Sequence, residues 1–249
     1  MSLFSFQGRV SLAVRLPNGK PGPFVEVGNV PTCQLELAVE TTTKNESMSG
    51  RRLPYGRIVT SQSGTLTMNF DEWLKQNLGL GFYGVPQIVE AGTVTAEPLP
   101  PDLKAGDRVM LDHPGASNLM LTDSSTTPAP VPAKSFRLIA PGNGMVEIID
   151  PGALKQPFNA AYSYAAAVDL AMFSTESPER YFLLEGVNTE TGNPIRVELY
   201  RVRFDPFKQL DLINEAYGSL PVSGSVLFDP VAAIDPALGG FGRIRSVDL

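Results

Sequence analysis

The sequence predicts an all-β fold, either a sandwich or a barrel, that carries one short α-helix. Apolar residues alternate with polar ones in several stretches, which is the pattern of strands with one buried face. The 249 residues include 22 prolines and 23 glycines, and this composition favours many short strands joined by turns. Hydrophobic residues make up 43% of the chain, which is sufficient for a sizeable core.

The charge and the cysteine content narrow the classes of function. The formal net charge is −6, so no overall positive field attracts nucleic acid or anionic lipid. The one cysteine, Cys33, excludes an intramolecular disulfide, and its place in an alternating pattern predicts a buried, unreactive thiol. The first residues lack the features of a signal peptide, and no stretch approaches ~18 apolar residues. We therefore expect a soluble protein without an export signal or membrane anchor.

Three strands are predicted near the N-terminus. The first is expected to be half buried, with apolar residues at Phe4, Phe6, Val10, Leu12, Val14 and Leu16. A weaker strand follows from Phe24 to Val30. The third has an apolar face of Cys33, Leu35, Leu37 and Val39 and a polar face of Gln34, Glu36, Ala38 and Glu40.

A polar arm without periodicity runs from Thr41 to Tyr55, and it is long for a hairpin loop. The strand pattern returns from Arg57 to Phe70. The polar face of this strand carries hydroxyl and amide groups, at Ser63, Thr65, Thr67 and Asn69. These residues have no charge, in contrast to the acidic face of the preceding strand.

A short amphipathic helix is predicted from Glu72 to Leu78. Asp71 has the character of an N-cap, and Gly79 is placed to end the helix. Trp73 and Leu74 follow helical spacing, so we expect them to pack the helix onto the sheet.

Residues 91–161 show short apolar runs separated by turns at roughly ten-residue intervals, which is an all-β pattern. The runs are Arg108–Leu111, Leu119–Leu121, Phe136–Ile139 and Val146–Ile149. A Ser/Thr/Pro-rich stretch from Asp123 to Ala133 predicts an exposed, mobile loop. We expect residues 1–90 and 162–249 to form one β core, with residues 91–161 as an irregular elaboration or insertion of the same domain.

The stretch from Tyr181 to Pro206 predicts a long β-hairpin with a surface turn between Asn188 and Pro194. Apolar residues occupy odd positions up to Leu199 and even positions from Tyr200, so the strand needs a bulge or burial on both faces. The remaining segments are a strand or helical turns over Phe207–Leu220, a last strand at Val222–Phe228 and a Pro/Gly-rich tail at Asp229–Leu249.

Few residues suit catalysis. His113 is the one histidine, and it lies in an Asp-His-Pro-Gly turn. The sequence has no Gly-x-Ser-x-Gly elbow, zinc cluster, Walker loop or dinucleotide fingerprint. We therefore expect no enzyme, metal or cofactor, although paired-carboxylate glycosidase chemistry has no local spacing rule and stays open.

The order of these elements resembles the tail tube (major tail) proteins of tailed bacteriophages. The likeness begins with the polar arm and continues through the strand that ends Gly64-Thr65-Leu66-Thr67-Met68-Asn69-Phe70 and the helix with Trp73-Leu74 and Asn77-Leu78. It resumes at Tyr162-Ser163-Tyr164-Ala165, Tyr200–Pro206, Tyr217-Gly218, Val226–Pro230 and Gly240-Phe241-Gly242. The likeness covers most of the chain as a diffuse pattern.

The resemblance implies that the chain assembles with itself into rings, commonly of six subunits. Sheets of neighbouring subunits join into one closed barrel, and stacked rings form a hollow tube through which DNA passes without specific binding. The implied location is the virion tail, after assembly in the host cytoplasm. The implied partners are a tape-measure protein and the tail terminator or completion proteins. Hexameric or trimeric rings and contractile or non-contractile tails are all compatible with the resemblance.

The resemblance also suggests roles for particular residues. The lumen would be lined by Gln34, Glu36, Glu40, Ser63, Thr65, Thr67 and Asn69. The opposite apolar faces are expected to pack against a second sheet and the helix. The arm would contact the next ring through Lys44, Arg51, Arg52 and Tyr55, with a mobile loop as the alternative. Arg201 and Arg203 are candidates for the contact between subunits.

A second class of function is an adhesin or carbohydrate-binding β module on a phage particle. It would be a monomer or trimer with an aromatic-lined sugar site, and it would form no tube.

Overall fold

A computed structural model describes residues 3–177 and 179–246. The chain divides into two compact units. We call Met1–Pro86 with Leu170–Leu249 the core unit, and Gln87–Asp169 the inserted unit. The sequence placed residues 87–90 and 162–169 in the core. They belong instead to the inserted unit, where the strand that contains Tyr162 pairs with two other strands and Gln87–Val89 pairs with Ala167–Asp169.

In the first part of the core unit the elements are β1 Phe6–Arg15, β2 Pro21–Glu26, β3 Thr32–Asn45, β4 Pro54–Phe70 and helix α1 Lys75–Phe82. The strands of the inserted unit are β5 Gln87–Val89, β6 Gly92–Pro98, β7 Arg108–Met110, β8 Ser117–Thr122, β9 Phe136–Ala140, β10 Met145–Ile148, β11 Asn159–Tyr164 and β12 Ala167–Asp169. The chain then returns to the core unit with β13 Arg180–Asn188, β14 Pro194–Phe204, β15 Leu220–Val226 and β16 Gly242–Ser246. Short 3₁₀ turns occupy Ala133–Ser135, Pro141–Asn143 and Ala232–Ile234.

The core unit is built on one eight-stranded sheet with the order β2-β1-β13-β14-β15-β4-β3, and β16 also pairs with β14. All its described pairings are antiparallel. The sheet is not closed into a barrel, and β2 and β3 end the sheet. Its apolar face supplies Val10, Leu12, Leu66, Met68, Phe70, Phe182, Leu199, Val202, Phe204, Leu220, Val222 and Val226 to one core. The all-β prediction is confirmed at this level.

The predicted hairpin is β13 and β14, joined by a turn at 189–193. Phe182 pairs with Leu199, whereas Arg180 pairs with Val202, so β14 carries one extra residue between these pairs. This bulge accounts for the change of phase in the sequence, because it returns Val202 to the same face as Leu199. The sequence left open a bulge or burial on both faces, and the structure has both, because Leu199 and Tyr200 are buried in different clusters.

The middle of β1 is buried on both faces, and the prediction of a half-buried strand is wrong there. Val10 and Leu12 enter the main core, while Ala13 packs with Tyr181 and Tyr200 on the other face. The C-terminal segment covers this second face through Ala232 and Leu238. The sequence treated the segment from Asp229 as a tail, and it missed β16 because the glycines before Gly242 obscure the short alternating pattern.

Helix α1 begins and ends later than predicted. Its N-cap is Leu74, which makes no side-chain capping bond, and its last turn ends at Tyr83 in the left-handed conformation. The helix continues through Gly79, and the indole of Trp73 is exposed. Asp71 accepts a hydrogen bond from the Asn29 side chain (2.5 Å) instead of capping the helix. No helix within residues 3–177 and 179–246 has the length and apolar character needed to cross a membrane.

The inserted unit contains β7-β10-β9, β6-β11-β8 and the pair β12-β5. The four apolar runs fall on β7, β8, β9 and β10, which confirms them as strands. The predicted mobile loop from Asp123 is held in place. Asp123 is buried and accepts a hydrogen bond from the backbone N–H of Ala129 (2.7 Å), and Val131 belongs to the core. The sequence missed this because a Ser/Thr/Pro-rich composition does not reveal that the Asp123 carboxylate accepts hydrogen bonds from within the loop.

Candidate functional surface

Polar side chains form rows across neighbouring strands of the core unit. Glu36 on β3 pairs with Thr65 on β4, and Thr65 pairs with Ser225 on β15. Ser225 pairs in turn with Arg203 on β14. Directly opposed residues of an antiparallel pair project on the same face, so these side chains share one side of the sheet. The next row contains Gln34, Thr67 and Ser223. We call these two rows the polar surface.

The structure brings most of the proposed lumen residues together on this face. Ser63 pairs with Ala38 one row further along, and its side chain is exposed. Glu40 pairs with Ser61, whose hydroxyl donates to the Glu40 carboxylate (2.9 Å). Asn69 is half buried at the other end, opposite Thr32.

Sequence reasoning missed the contribution of β15 to the polar surface. The sequence does contain the pattern that predicts it. Val222 and Val226 alternate with Ser223 and Ser225, so the serines lie on the face opposite the core. The polar surface therefore consists mainly of hydroxyl and amide groups. The carboxylate of Glu36 on β3 and the guanidinium of Arg203 on β14 lie at its two ends.

The two candidate arginines for subunit contacts differ in their partners. Arg201 forms an ion pair with Glu179 and donates to the carbonyl oxygen of Phe228 (3.2 Å). The hydrogen bond from Arg201 outweighs burial and lowers the pKa of Glu179 below its usual value. Arg203 contacts Glu176 at 3.8 Å, and both side chains are exposed, so this pair contributes little. Arg201 is thus engaged within its own chain, and Arg203 is the freer cation.

The apolar face of β3 is exposed, and the expectation that it packs against a second sheet and the helix is wrong. Leu35 pairs with the buried Leu66, but 38% of its own surface is accessible. Leu37 and Val39 are more exposed, at 73% and 56%. The reason is the strand order, because β3 ends the sheet and no described element covers this face. We call these three side chains the apolar edge.

Cys33 precedes the apolar edge on the same face, and the prediction of a buried thiol is also wrong. The residue is exposed. Partial burial nevertheless raises the pKa of its thiol to about 11, so the group is protonated at neutral pH and poorly nucleophilic.

The polar arm is largely an extension of the β3–β4 hairpin and not an irregular loop. Residues up to Asn45 belong to β3, and β4 begins at Pro54. The sequence missed this because Thr41, Thr42 and Thr43 favour a strand without giving an apolar alternation. The turn between the strands is organised by one carboxylate, that of Glu46.

The Glu46 carboxylate accepts hydrogen bonds from the backbone N–H groups of Met48 (2.5 Å) and Ser49 (2.8 Å). Hydrogen bonds from Ser49 hold the pKa of Glu46 at about 2. The inter-ring candidates Lys44, Arg51, Arg52 and Tyr55 are all exposed around this turn. The arm therefore presents cationic and aromatic side chains on a defined hairpin.

A charged row that the sequence did not predict continues across the same sheet. Arg9 pairs with Glu185, which pairs with Arg196, and Arg196 pairs with Arg245 on β16. Beside this row, the buried Glu198 carboxylate accepts hydrogen bonds from Arg196 and Arg243. Burial tends to raise the pKa of Glu198, but the hydrogen bond from Arg243 and the two positive charges lower it overall.

The fold and its surface define an all-β protein with an uncovered sheet edge and an extended hairpin. Residues 3–245 match the family described as "Protein of unknown function UCP028589", and the chain belongs to that family. No curated protein matches the chain.

Proposed function

We propose that this chain is a structural subunit that assembles with itself into stacked rings and forms the hollow tail tube of a bacteriophage, through which DNA is ejected. The observation that carries the proposal is the apolar edge. Leu35, Leu37 and Val39 continue the apolar side of the sheet beyond its covered part, on a strand whose outer backbone groups have no described partner. An exposed edge of this kind invites pairing with another chain.

Ring closure is consistent with the open sheet. Besides the outer side of the short strand β16, the sheet has free edges at β2 and β3, and both of these can be paired when neighbouring subunits join their sheets into a closed ring. The buried neighbour of Leu35 is Leu66, so a second copy that covers β3 would extend an existing core.

The polar surface supports a lumen-facing role. Its central side chains, Thr65, Thr67, Ser223 and Ser225, are neutral, and Glu36 and Glu40 flank them on β3. Such a surface offers few cations to the phosphate backbone, so DNA can slide along it instead of adhering. In a tail the same lumen would hold a tape-measure protein, and terminator or completion proteins would close the tube.

The arm is proposed as the contact between rings. The hairpin extends past the body of the sheet, and Arg51, Arg52 and Tyr55 are exposed near its tip. These side chains have the mixed cationic and aromatic character that is common at protein interfaces.

The apolar edge is tested by sedimentation velocity with two matched lysine variants on the same strand. Leu37→Lys places a charge within the apolar edge, whereas Ala38→Lys places the same charge on the opposite face. We expect Leu37→Lys to remain folded by circular dichroism but to sediment as a monomer, while Ala38→Lys assembles like the wild type. If the two variants assembled equally well, the apolar edge would not be part of the interface between subunits.

A further inference from the structure

A small cavity in the core unit is lined by two residues that each have a buried polar atom without a partner. It has a volume of about 110 Å³ and is lined by apolar side chains that include Leu12, Val25, Val27 and Leu80. Asn77 of α1 and Arg180 of β13 also line it. Asn77 Oδ1 and Arg180 Nη1 are both buried and have no hydrogen-bond partner. A cavity of this volume holds about four water molecules at ~30 Å³ each, so it has room for a side-chain head group.

Arg180 is an uncompensated cation. It pairs with Val14 and Val202, which places its side chain on the core face at the end of β13. No carboxylate within residues 3–177 and 179–246 forms an ion pair with it. Burial lowers the pKa of the guanidinium, yet an arginine remains charged in proteins. A partly buried cation of this kind is stabilised by an anion that enters from outside.

The orientation of Asn77 is fixed by its neighbours. Asn77 is 1% exposed, and its Nδ2 donates to the carbonyl oxygens of Val27 (2.9 Å) and Glu72 (3.2 Å). Carbonyl oxygens only accept, so the amide cannot be reversed without losing both bonds. Oδ1 is thereby left without a donor in the buried lining of the cavity. The unpaired guanidinium of Arg180 suits a segment that brings a carboxylate to the cavity.

The core unit also carries an exposed segment with the complementary chemistry. Between β14 and β15, the side chains of Leu212, Ile213 and Tyr217 are almost fully exposed. Glu215 lies between Ile213 and Tyr217, and its exposed carboxylate forms no ion pair with the described residues. Three large apolar side chains around one free carboxylate are unusual for a surface that meets only water.

We propose that this segment of one copy docks at the cavity of the next copy, where Glu215 pairs with Arg180. The inference rests on the proposed self-assembly and names a contact within it. Within one chain both charges stay unpaired, and the segment is anchored at each end, where Phe207 donates to Gly81 (2.9 Å) and Leu220 pairs with Phe70. Docking of a second copy gives Arg180 and Glu215 their missing counter-charges in one contact. The contact joins different patches on the two copies, which is the arrangement that generates rings.

A double-mutant cycle tests the contact by sedimentation velocity of the full chain over a range of concentrations. Arg180→Met and Glu215→Gln are each expected to weaken association at least tenfold, and the double variant to be no weaker than Arg180→Met alone. Glu190→Gln, which alters an exposed carboxylate in the β13–β14 turn, is the matched control and should associate like the wild type. Arg180→Met should also raise the Tm of the isolated chain, because it removes an unpaired charge from an apolar site.

The outcomes separate the two proposals. Wild-type protein that stays monomeric at every concentration would overturn the proposed function, and this contact with it. Wild-type protein that assembles while Glu215→Gln and Arg180→Met associate normally, or act additively in the double variant, would overturn the contact alone.

Discussion

The guanidinium of Arg15 holds the buried carboxylate of Asp229 in a two-point ion pair, with Nε and Nη2 each 2.8 Å from a carboxylate oxygen. Asp229 also accepts hydrogen bonds from the backbone N–H groups of Val231 (2.9 Å) and Ala232 (3.3 Å). The pair joins the end of β1 to the chain that follows β15. It thereby fixes the segment that covers the Tyr181 face of the sheet.

Removal of this carboxylate should destabilise the fold. Asp229→Ala leaves Arg15 without its main partner and frees two backbone N–H groups, so we expect the free energy of unfolding to fall by about 3 kcal/mol. Urea denaturation followed by circular dichroism measures the change. Glu26→Ala breaks the exposed Arg9–Glu26 pair and should lower the free energy by less than about 1 kcal/mol. Equal effects of the two variants would contradict the structural role of Asp229.

The same ion pair predicts an acid-sensitive stability. Burial tends to raise the pKa of Asp229, but hydrogen bonds from Arg15 and the backbone outweigh it and lower the pKa overall. A carboxylate with a lowered folded pKa stabilises the protein above its unfolded pKa of ~3.9, and this contribution is lost as the pH falls through the folded pKa. We expect Asp229→Asn to be less stable than the wild type at pH 7 and to lose less stability on acidification. If the free energy of unfolding fell equally in the two proteins between pH 5 and pH 2, this role of Asp229 would be contradicted.

Charge reversal on the polar surface separates assembly from DNA passage. Glu36→Lys combined with Glu40→Lys should leave tubes intact, because both side chains are exposed, while cations in the lumen hold DNA and impair ejection from phage particles. Glu90→Lys with Glu190→Lys makes the same change of charge at two exposed residues that are not part of the polar surface, and it serves as the control. Failure of the first variant to assemble would place Glu36 and Glu40 in an interface.

Shortening the arm should block the stacking of rings without unfolding the subunit. Replacement of residues 46–53 by a two-residue turn removes Arg51 and Arg52 but keeps the β3–β4 ladder. We expect rings of normal diameter and no long tubes by electron microscopy. Long tubes from this variant would show that the arm is dispensable for stacking.

Local patterns predicted the features that depend on neighbouring residues in the sequence. The β13–β14 hairpin and its bulge follow from the change of phase after Leu199, and β4 follows from its alternation up to Phe70. The polar faces of β3 and β4 were predicted to line one surface, without a register between the strands. The structure adds that they are in register, so that Glu36 lies opposite Thr65.

Features that depend on distant residues could not be predicted from one sequence. Arg15 and Asp229 are far apart in the chain, and nothing local marks either as buried. The exposure of Leu37 has the same origin, because an alternating pattern identifies an apolar face but not whether another element covers it. Helix α1 starts late because the Asp71 carboxylate accepts a hydrogen bond from Asn29 and does not cap the helix. The helix therefore has no side-chain cap.

Negative-stain electron microscopy of the concentrated, purified wild-type protein tests the central claim most directly. Self-assembly through β3 and the arm predicts rings of uniform diameter with a central hole, and hollow tubes where the rings stack. Compact particles without a hole at every concentration, confirmed as monomers by sedimentation, would contradict the tail tube function.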